Sequence, residues 1–461
     1  MSEIKTNKMG SDDIKKVMLK MGIPMILSMV LQACYNIVDS MFVARISDTG
    51  DIKHAGELAV NALTLAFPVQ MIIVALSIGT GVGANALLAK YLGQKDKTNV
   101  AKTAGNSIVL AFVIYILFLL FGFWGTDIYL KTQTNNAVIL DMGNTYLKIC
   151  CVGSFGIVFF SIYEKLLQST GKTIFSTIAQ VAGAITNIVL DPILIFGYFG
   201  LPQMGVKGAA YATIIGQIVS MVIAMGFHYT KNKEVESRLA YLKLNIKIVK
   251  EIYTVGLPAI IMQALMSFMT YGVNIIFKNI STEAVTAYGI FYKIQQFVFF
   301  AAFGLRDAIT PIVAFNYGMG SKSRVKEGIR YGIIYIEIIM LLGIAILEIF
   351  ANPMAGWFNL SGETAKLCVY AMRIIAAGFL FAGANIALQG VFQAMGDGLA
   401  SLVVSLLRLL IVVLPLAKVF TLVANASFAI WFAFPIAELV AFVVAIFLAI
   451  RMNKKRIEVM E

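Results

Sequence analysis

Charged side chains are scarce in this chain of 461 residues. Asp, Glu, Lys and Arg together make up 13% of the sequence, whereas hydrophobic residues make up 59%. Soluble globular domains devote about a quarter of their residues to charge, so the composition excludes a soluble protein. The sequence therefore predicts an all-α membrane protein, because long apolar runs cross a bilayer as helices.

Cysteine, histidine and nucleotide-binding motifs are also rare or missing. The four cysteines lie in or beside apolar runs without metal-ligand spacing, and the only two histidines, His54 and His228, are far apart in the sequence. The chain contains no phosphate-binding loop and no dinucleotide fingerprint; GTGVG at 79–83 lies within an apolar run, where small residues allow close helix packing. These absences exclude an ATP-driven pump and predict a protein that is not an enzyme and has no cofactor.

Long apolar runs are the abundant feature. A bilayer core of ~30 Å needs about 20 apolar residues per helix. Twelve such runs are present, and they form two sets of six. The predicted spans lie near residues 22–44, 58–89, 103–124, 143–167, 173–197, 208–228, 251–277, 285–315, 331–350, 369–395, 399–423 and 427–450.

The two sets of spans are copies of one another. Residues 59–100 and 284–325 align without a gap at an offset of 225, with matches such as Gln70 and Gln295. Internal repeats of this kind are typical of secondary transporters. The connection between the sets is polar, with apolar residues at mixed spacing that favour a surface amphipathic helix. We therefore predict an N-terminal lobe at 1–228, a cytoplasmic connection at 229–250 and a C-terminal lobe at 251–461.

Basic residues are distributed unequally between the two membrane faces. The termini and the loops on their side hold 25 of the 37 Lys and Arg residues. The positive-inside rule therefore predicts that both termini are cytoplasmic. The net charge of +12 has the same origin, and since aromatic residues do not alternate with these charges, a nucleic-acid partner is excluded.

Two carboxylates interrupt apolar runs in the first half. Ionisable groups within a span are costly and mark function by default. Asp39 in the first span and Asp191 in the fifth are predicted at a similar depth in the outer half of the membrane, and Asn187 lies one helical turn before Asp191. Tyr146 and Thr213 begin inward-running spans at the same level. Such oxygens suit a hard cation such as Na⁺, and a carboxyl group removed from water can also carry a proton.

The remaining intramembrane charges are less easily interpreted. Glu438 lies near the middle of the last span and has no obvious partner in the sequence. Arg306 and Asp307 are adjacent and should point about 100° apart on a helix, so their partners are expected on other helices. Arg408, Glu337 and Lys293 are expected either to extend towards the membrane surface or to form structural ion pairs.

A cavity for substrate should combine flexible apolar side chains with a few polar groups, since methionine adapts to varied ligands. The candidates are spread over both halves. We predict that the cavity includes Glu438, Gln70, Gln295, Met266 and Met269.

Several longer segments resemble those of one family. The segment TNIVLDPILIFGYFGLPQMGVKGAAYAT covers the fifth and sixth spans, and GLRDAITPIVAFNYGMGSKSRVKEG closes the eighth. Together with ALLAKYLGQKD and the pairs Gln168/Gly171 and Gln393/Gly396, their order resembles that of multidrug and toxic compound extrusion (MATE) transporters, within the superfamily that includes flippases. The resemblance covers residues 14–450.

The resemblance implies a fold of twelve transmembrane helices in two pseudo-symmetric six-helix bundles, V-shaped, with alternating access. It also implies a bacterial cytoplasmic-membrane protein, expected to be a monomer, that exports small, lipophilic, mostly cationic drugs against an inward Na⁺ or H⁺ gradient. Drug substrates and membrane lipids are then its partners. In the family, an Asp, an Asn–Asp pair, a Thr and a Tyr form an N-terminal cation site, and here these positions carry Asp39, Asn187, Asp191, Thr213 and Tyr146.

Two alternatives stay open on the sequence. Na⁺ and H⁺ are not distinguished, although the number of oxygen ligands favours Na⁺ slightly, with Asp39, Asn187, Asp191 and Thr213 as its ligands. The tenth span lacks the acidic residue that some branches of the family use, which favours the N-terminal lobe as the coupling site. A flippase for a lipid-linked precursor would share the fold, but it should carry basic residues in its central cavity for a pyrophosphate, and Arg306 and Arg408 are the candidates.

Overall fold

The structure is a computed structural model that describes residues 7–46, 54–358, 360 and 362–460. Helices account for nearly all of these residues, and no strand occurs among them. The principal helices are α1 Ile14–Val43, α2 Ala55–Gly93, α3 Lys97–Trp124, α4 Ala137–Val152, α5 Phe155–Gln168, α6 Thr173–Phe196, α7 Val206–Lys231, α8 Ile246–Lys278, α9 Thr282–Gly318, α10 Lys322–Trp357, α11 Gly362–Ala376, α12 Phe379–Ala394, α13 Gly398–Leu406, α14 Val413–Phe420 and α15 Ala433–Met452.

Ten helical segments of the described chain are long and apolar enough to cross a membrane, and the number rises to twelve when each of two bent helix pairs counts as one span. The predicted class, an all-α membrane protein with up to twelve spans, is confirmed. The helices extend beyond most of the predicted spans, because a helix continues past the hydrocarbon region into polar residues such as Lys15 in α1 and Lys322 in α10.

The two bent pairs occupy equivalent places in the repeat. The first, α4 with α5, bends by 43°, and the second, α11 with α12, bends by 54°. Gly153 and Gly378 lie at the two bends and are separated by the repeat offset of 225. A side chain at Gly153 would meet Ile214 of α7, and one at Gly378 would lie 2.7 Å from the Pro435 Cα atom of α15. Glycine is therefore required at both bends so that a neighbouring helix can approach closely.

Contacts divide the described chain into two compact units. The N-unit comprises Val30–Leu88 and Asp96–Ile252, and the C-unit comprises Met1–Met29, Ala89–Lys95 and Tyr253–Glu461. The N-unit contains the closely packed pair α6 and α7, where Gly183 lies against Gly216. The C-unit has one continuous apolar core formed by α8 to α15 with the start of α1. The lobe boundaries expected from the sequence stay a prediction.

The polar connection between the repeats is not an amphipathic helix, so that prediction is wrong. Helix α7 ends at Lys231, α8 begins at Ile246, and the segment between them holds only a single 3-10 turn, Leu239–Tyr241. Asn106 of α3 fastens the segment by donating to the Lys243 carbonyl (3.3 Å) and accepting from the Asn245 amide (2.7 Å). These tertiary hydrogen bonds satisfy backbone groups that a helix would otherwise have paired internally.

Candidate functional site

The carboxyl groups of Asp39 and Asp191 meet inside the N-unit. Asp39 lies near the end of α1, and Asp191 is fully buried near the end of α6. The two side chains are within hydrogen-bonding reach of each other. Asn187, one turn earlier on α6, donates its amide to Asp191 Oδ1 at 3.3 Å. The structure thus brings together the two acids that the sequence placed at a common depth.

Three oxygens of this cluster are buried without a hydrogen-bond partner among the described residues. They are Asp39 Oδ1, Asn187 Oδ1 and Asp191 Oδ2. An unpaired buried oxygen is costly, and two carboxylates in contact repel each other unless a positive charge separates them or a proton neutralises one. The arrangement therefore has the capacity to take up a cation or a proton, because three buried acceptors of neighbouring side chains are free.

Aromatic and polar side chains surround the acids on one side. Tyr35, one turn before Asp39 on α1, is within electrostatic range of both acids. Tyr146 of α4 is buried and lies close enough to Asp39 and Tyr35 to interact with them electrostatically. Gln70 of α2 donates to the Tyr146 hydroxyl (3.3 Å) and to the Cys150 sulfur (3.4 Å).

Gln70, Tyr35 and Cys150 were not assigned to this cluster from the sequence. We predicted Gln70 in a substrate cavity, whereas the structure places its amide on Tyr146, beside the acids. Tyr35 and Cys150 lie four residues from Asp39 and Tyr146 respectively. This i, i+4 spacing puts each on the same helix face as its neighbour and was the signal that could have identified them.

Thr213 lies at the level of the acids but does not contact them through a described hydrogen bond. Gly216 of α7 packs against Asn187, and Gly208 packs against Leu194, so the stretch of α7 that contains Thr213 runs past Asp191. The Thr213 side chain is half-buried. Its role as a ligand stays a prediction.

A second buried charge cluster lies in the C-unit. Arg408 donates to the Glu438 carboxylate through Nε at 2.9 Å and Nη2 at 2.6 Å, and Asn385 donates to Glu438 Oε2 at 2.9 Å. The sequence showed no obvious partner for Glu438, and the structure provides Arg408 and Asn385. Arg408 lies in a π-helical turn, Leu407–Ile411, between α13 and α14. Turns of this type often occur at functional positions.

Arg306 and Asp307 also pair, contrary to expectation. Arg306 donates to Asp307 Oδ1 through Nε at 3.0 Å and Nη2 at 2.7 Å. Adjacent helical positions do point apart, but the long arginine side chain folds back to reach the carboxylate. The prediction that these charges find their partners on other helices is wrong, because it did not consider the length of the arginine side chain.

No described hydrogen bond joins the remaining residues that we predicted for the substrate cavity to one another. Met269 belongs to the apolar core of the C-unit, whereas Met266 and Gln295 are half-buried. Glu438 is engaged by Arg408 and Asn385, as described above. Their joint role in binding substrate stays a prediction. Among the described residues, no three His, Cys, Asp or Glu side chains converge as ligands for a metal ion.

Comparison with known proteins agrees with this architecture. The sequence model of the MatE family matches residues 24–193 and 258–419, one match in each repeat. A multidrug export protein MepA of Staphylococcus saprophyticus is 24% identical over 449 residues, covering 97% of this chain and 96% of the relative. The MepA protein of Staphylococcus aureus is 26% identical over 394 residues, covering 85% and 84%.

Solved structures are similar over the whole length. One is the outward-facing conformation of a multidrug resistance MATE family transporter of the MOP superfamily, with a TM-score of 0.90, 25% identity, and coverage of 98% of this chain and 99% of that one. Another is a MOP superfamily transporter from Pyrococcus furiosus, for which a reversed polarity of the binding pocket suggests a different function; its TM-score is 0.88 at 25% identity, with the same coverage. On the match of the family model to both repeats, this chain belongs to the MatE family of multi-pass membrane transporters.

Proposed function

We propose that the protein is a multidrug efflux antiporter that exports lipophilic, mostly cationic compounds in exchange for Na⁺ or H⁺. The observation that carries the proposal is the contact between Asp39 and Asp191 with three unpartnered oxygens around it. The net charge of such an unneutralised carboxylate pair changes when an ion or a proton binds. A coupled transporter needs a change of this kind to link ion binding to its conformation. The naming of two relatives as multidrug export proteins supports the choice of substrate class.

Coupling then follows from competition between two states. In the outward-facing state, the ion or proton binds at Asp39 and Asp191, neutralises the pair and favours a helix packing from which drug is released. After a rocking of the lobes, the ion leaves to the cytoplasm and drug rebinds. The ion and the drug must prefer different states, because a ligand that binds both states with equal affinity does not shift the equilibrium between them.

Na⁺ is the coupling ion we favour. Asp39 Oδ1, Asp191 Oδ2 and Asn187 Oδ1 are the free oxygens that would hold it, with Thr213 at the same level and Tyr146 beside them. Hard cations take oxygen ligands of this type. A proton would need only one of the two carboxyl groups, so it would leave the amide oxygen of Asn187 without a function.

A flippase for a lipid-linked precursor is less well supported. Such a protein needs unpaired basic groups to bind a pyrophosphate. Arg306 is paired with Asp307 and Arg408 with Glu438, so each of the two candidate cations is already neutralised. An accumulation assay with a fluorescent lipophilic cation separates the two functions: an exporter lowers its level in cells, whereas a flippase leaves it unchanged.

We further propose that the protein acts as a monomer in the bacterial cytoplasmic membrane, with both termini in the cytoplasm. The excess of Lys and Arg on the face of the termini supports this orientation. Labelling single cysteines at Lys16 and Thr282 with a membrane-impermeant maleimide in intact cells tests it. Only the Thr282 variant should react.

A further inference from the structure

The C-unit contains a groove of about 750 Å³ that the transport proposal does not use. Three helices line it, each with residues spaced three and four apart: α10, α12 and α15. Most of its lining is apolar and includes Leu388 and the rings of Phe381 and Phe442, whose centroids lie 5.5 Å apart. Spacing of this kind presents one face of each helix to the groove.

Three cationic side chains and one carboxylate, that of Glu458, line one end of the groove. Lys326 and Arg330 lie on successive turns of α10, and Lys454 follows the end of α15. All three are exposed, and none makes a hydrogen bond or an ion pair with another described residue. They lie on the membrane face that carries the termini, where Lys322 binds the carbonyls of Glu458 and Met460 and holds the C-terminal segment in place.

The groove matches one leaflet of a bilayer in length. Lys326 and Glu337 lie at its two ends on α10, eleven residues apart, which corresponds to ~16 Å of helix. Half of a bilayer core is about 15 Å thick. The cationic end is thus at the level of lipid head groups and the far end is near the midplane.

The equivalent surface of the N-unit is covered by the chain itself. The repeat offset of 225 relates Arg330 to Gly105 of α3, and there the main chain of Tyr241 lies so close that no side chain fits. Asn106 holds this connecting segment in place through Lys243 and Asn245. In the C-unit the corresponding face carries an exposed arginine beside an open groove.

We propose that this groove binds a phospholipid with an anionic head group from the leaflet on the side of the termini. The phosphate would lie among Lys326, Arg330 and Lys454, and an acyl chain would run over Leu388 towards Glu337. Clusters of basic residues at the cytoplasmic ends of membrane helices attract anionic lipids in this way. A lipophilic cation is a poorer occupant, because the three positive charges at this end outnumber the single carboxylate of Glu458.

The test measures lipid binding to the purified full-length protein by native mass spectrometry, with phosphatidylglycerol and phosphatidylcholine of identical acyl chains. Wild type should bind phosphatidylglycerol more tightly, and the variant Lys326→Gln/Arg330→Gln/Lys454→Gln should lose about tenfold in that affinity while phosphatidylcholine binding is unchanged. The control Lys97→Gln/Lys231→Gln/Lys247→Gln removes three exposed cations elsewhere and should behave like wild type.

Four results would overturn the proposal. The first is equal wild-type affinity for the two lipids, and the second is an equal loss in the control variant. The third is displacement of phosphatidylglycerol by tetraphenylphosphonium that Glu337→Gln abolishes, which would make the groove a cation site. Ala384→Trp, which narrows the groove without changing charge, should weaken both lipids; unchanged binding of phosphatidylglycerol to this variant would also contradict the proposal.

Discussion

Asp39 and Asp191 come from helices far apart in the sequence, so their contact depends on how α1 packs against α6. Neither acid has a basic partner among the described side chains, in contrast to Asp307 and Glu438, which each have an arginine. This difference separates Asp39 and Asp191 from the two carboxylates that an arginine neutralises. An arginine neutralises each of these two acids, whereas no described side chain neutralises Asp39 and Asp191, and we propose that an ion or a proton does so.

A bound ion should stabilise the fold in proportion to its occupancy. We expect purified protein in detergent at fixed pH to unfold at a higher temperature in Na⁺ than in K⁺, and Asp191→Ala to lose this difference. Asp141→Ala, an exposed acid of the same unit, should retain it. A wild-type melting temperature that is the same in Na⁺ and K⁺ would contradict Na⁺ binding and leave the proton as the coupling ion.

The Arg408–Glu438 pair should act on stability, because both side chains are largely removed from solvent. Removing one partner of a buried pair leaves an uncompensated charge and costs about 3–5 kcal/mol. Glu438→Gln should therefore lower the melting temperature markedly, and Arg408→Met/Glu438→Leu should recover most of the loss. The exposed pair Lys366 and Glu363 provides the control, since Glu363→Gln should change nothing measurable. If Glu438→Gln unfolds like wild type, the pair is not structural.

At the residue scale, the sequence allowed some of these contacts to be predicted. The depth of Asp39 and Asp191 follows from counting residues along spans, because the rise of a helix is constant. Glu438 and Arg408 could not be paired in this way, since the rotation of one helix against another depends on packing. Arg306 and Asp307 were assigned wrongly because backbone geometry does not determine where a long side chain ends.

At the scale of elements, hydropathy predicted the spans well but not their shape. Apolar length reports only the part of a helix in hydrocarbon, so the ends of α1 and α10 extend past the predicted limits. In the sequence, the only sign of the bends is a glycine that recurs at the repeat offset, Gly153 and Gly378. The connection after α7 was wrongly predicted as a helix. The side chain that holds it in a non-helical conformation, Asn106 of α3, is more than a hundred residues away in the sequence, so the local pattern does not show it.

The bend at Gly378 yields a prediction for this scale. Gly378→Ala would place a methyl group 2.7 Å from the backbone Cα of Pro435, which cannot move aside, so α11, α12 and α15 must shift. We expect a fall in melting temperature corresponding to about 1–3 kcal/mol. Gly226→Ala in α7 is the control; it meets nothing within 4 Å and should stabilise by roughly 0.5–1 kcal/mol. Equal effects of the two substitutions would show that close approach does not explain the bend.

For the whole molecule, the repeat predicts an alternating motion. Glu57 and Thr282 are equivalent positions in the repeat, as are Thr98 and Ser323, and the predicted topology puts the two pairs on opposite membrane faces. A rigid rocking of two lobes cannot open both faces together. With spin labels at these sites in a transport-competent cysteine-free protein, the Glu57–Thr282 distance should shorten in conditions that lengthen the Thr98–Ser323 distance. Distances that respond to neither drug nor ion would contradict this motion.

The central claim is that Asp39 and Asp191 couple export to an ion gradient. Its most direct test is drug efflux from proteoliposomes with an inward Na⁺ gradient at fixed pH and, separately, an inward proton gradient without Na⁺. Wild type and Asp141→Asn should export drug under the Na⁺ gradient, whereas Asp39→Asn and Asp191→Asn, which keep the side-chain shape but not the charge, should export none. Wild-type rates in either variant, at equal protein per vesicle, would show that the pair is structural and that coupling occurs elsewhere.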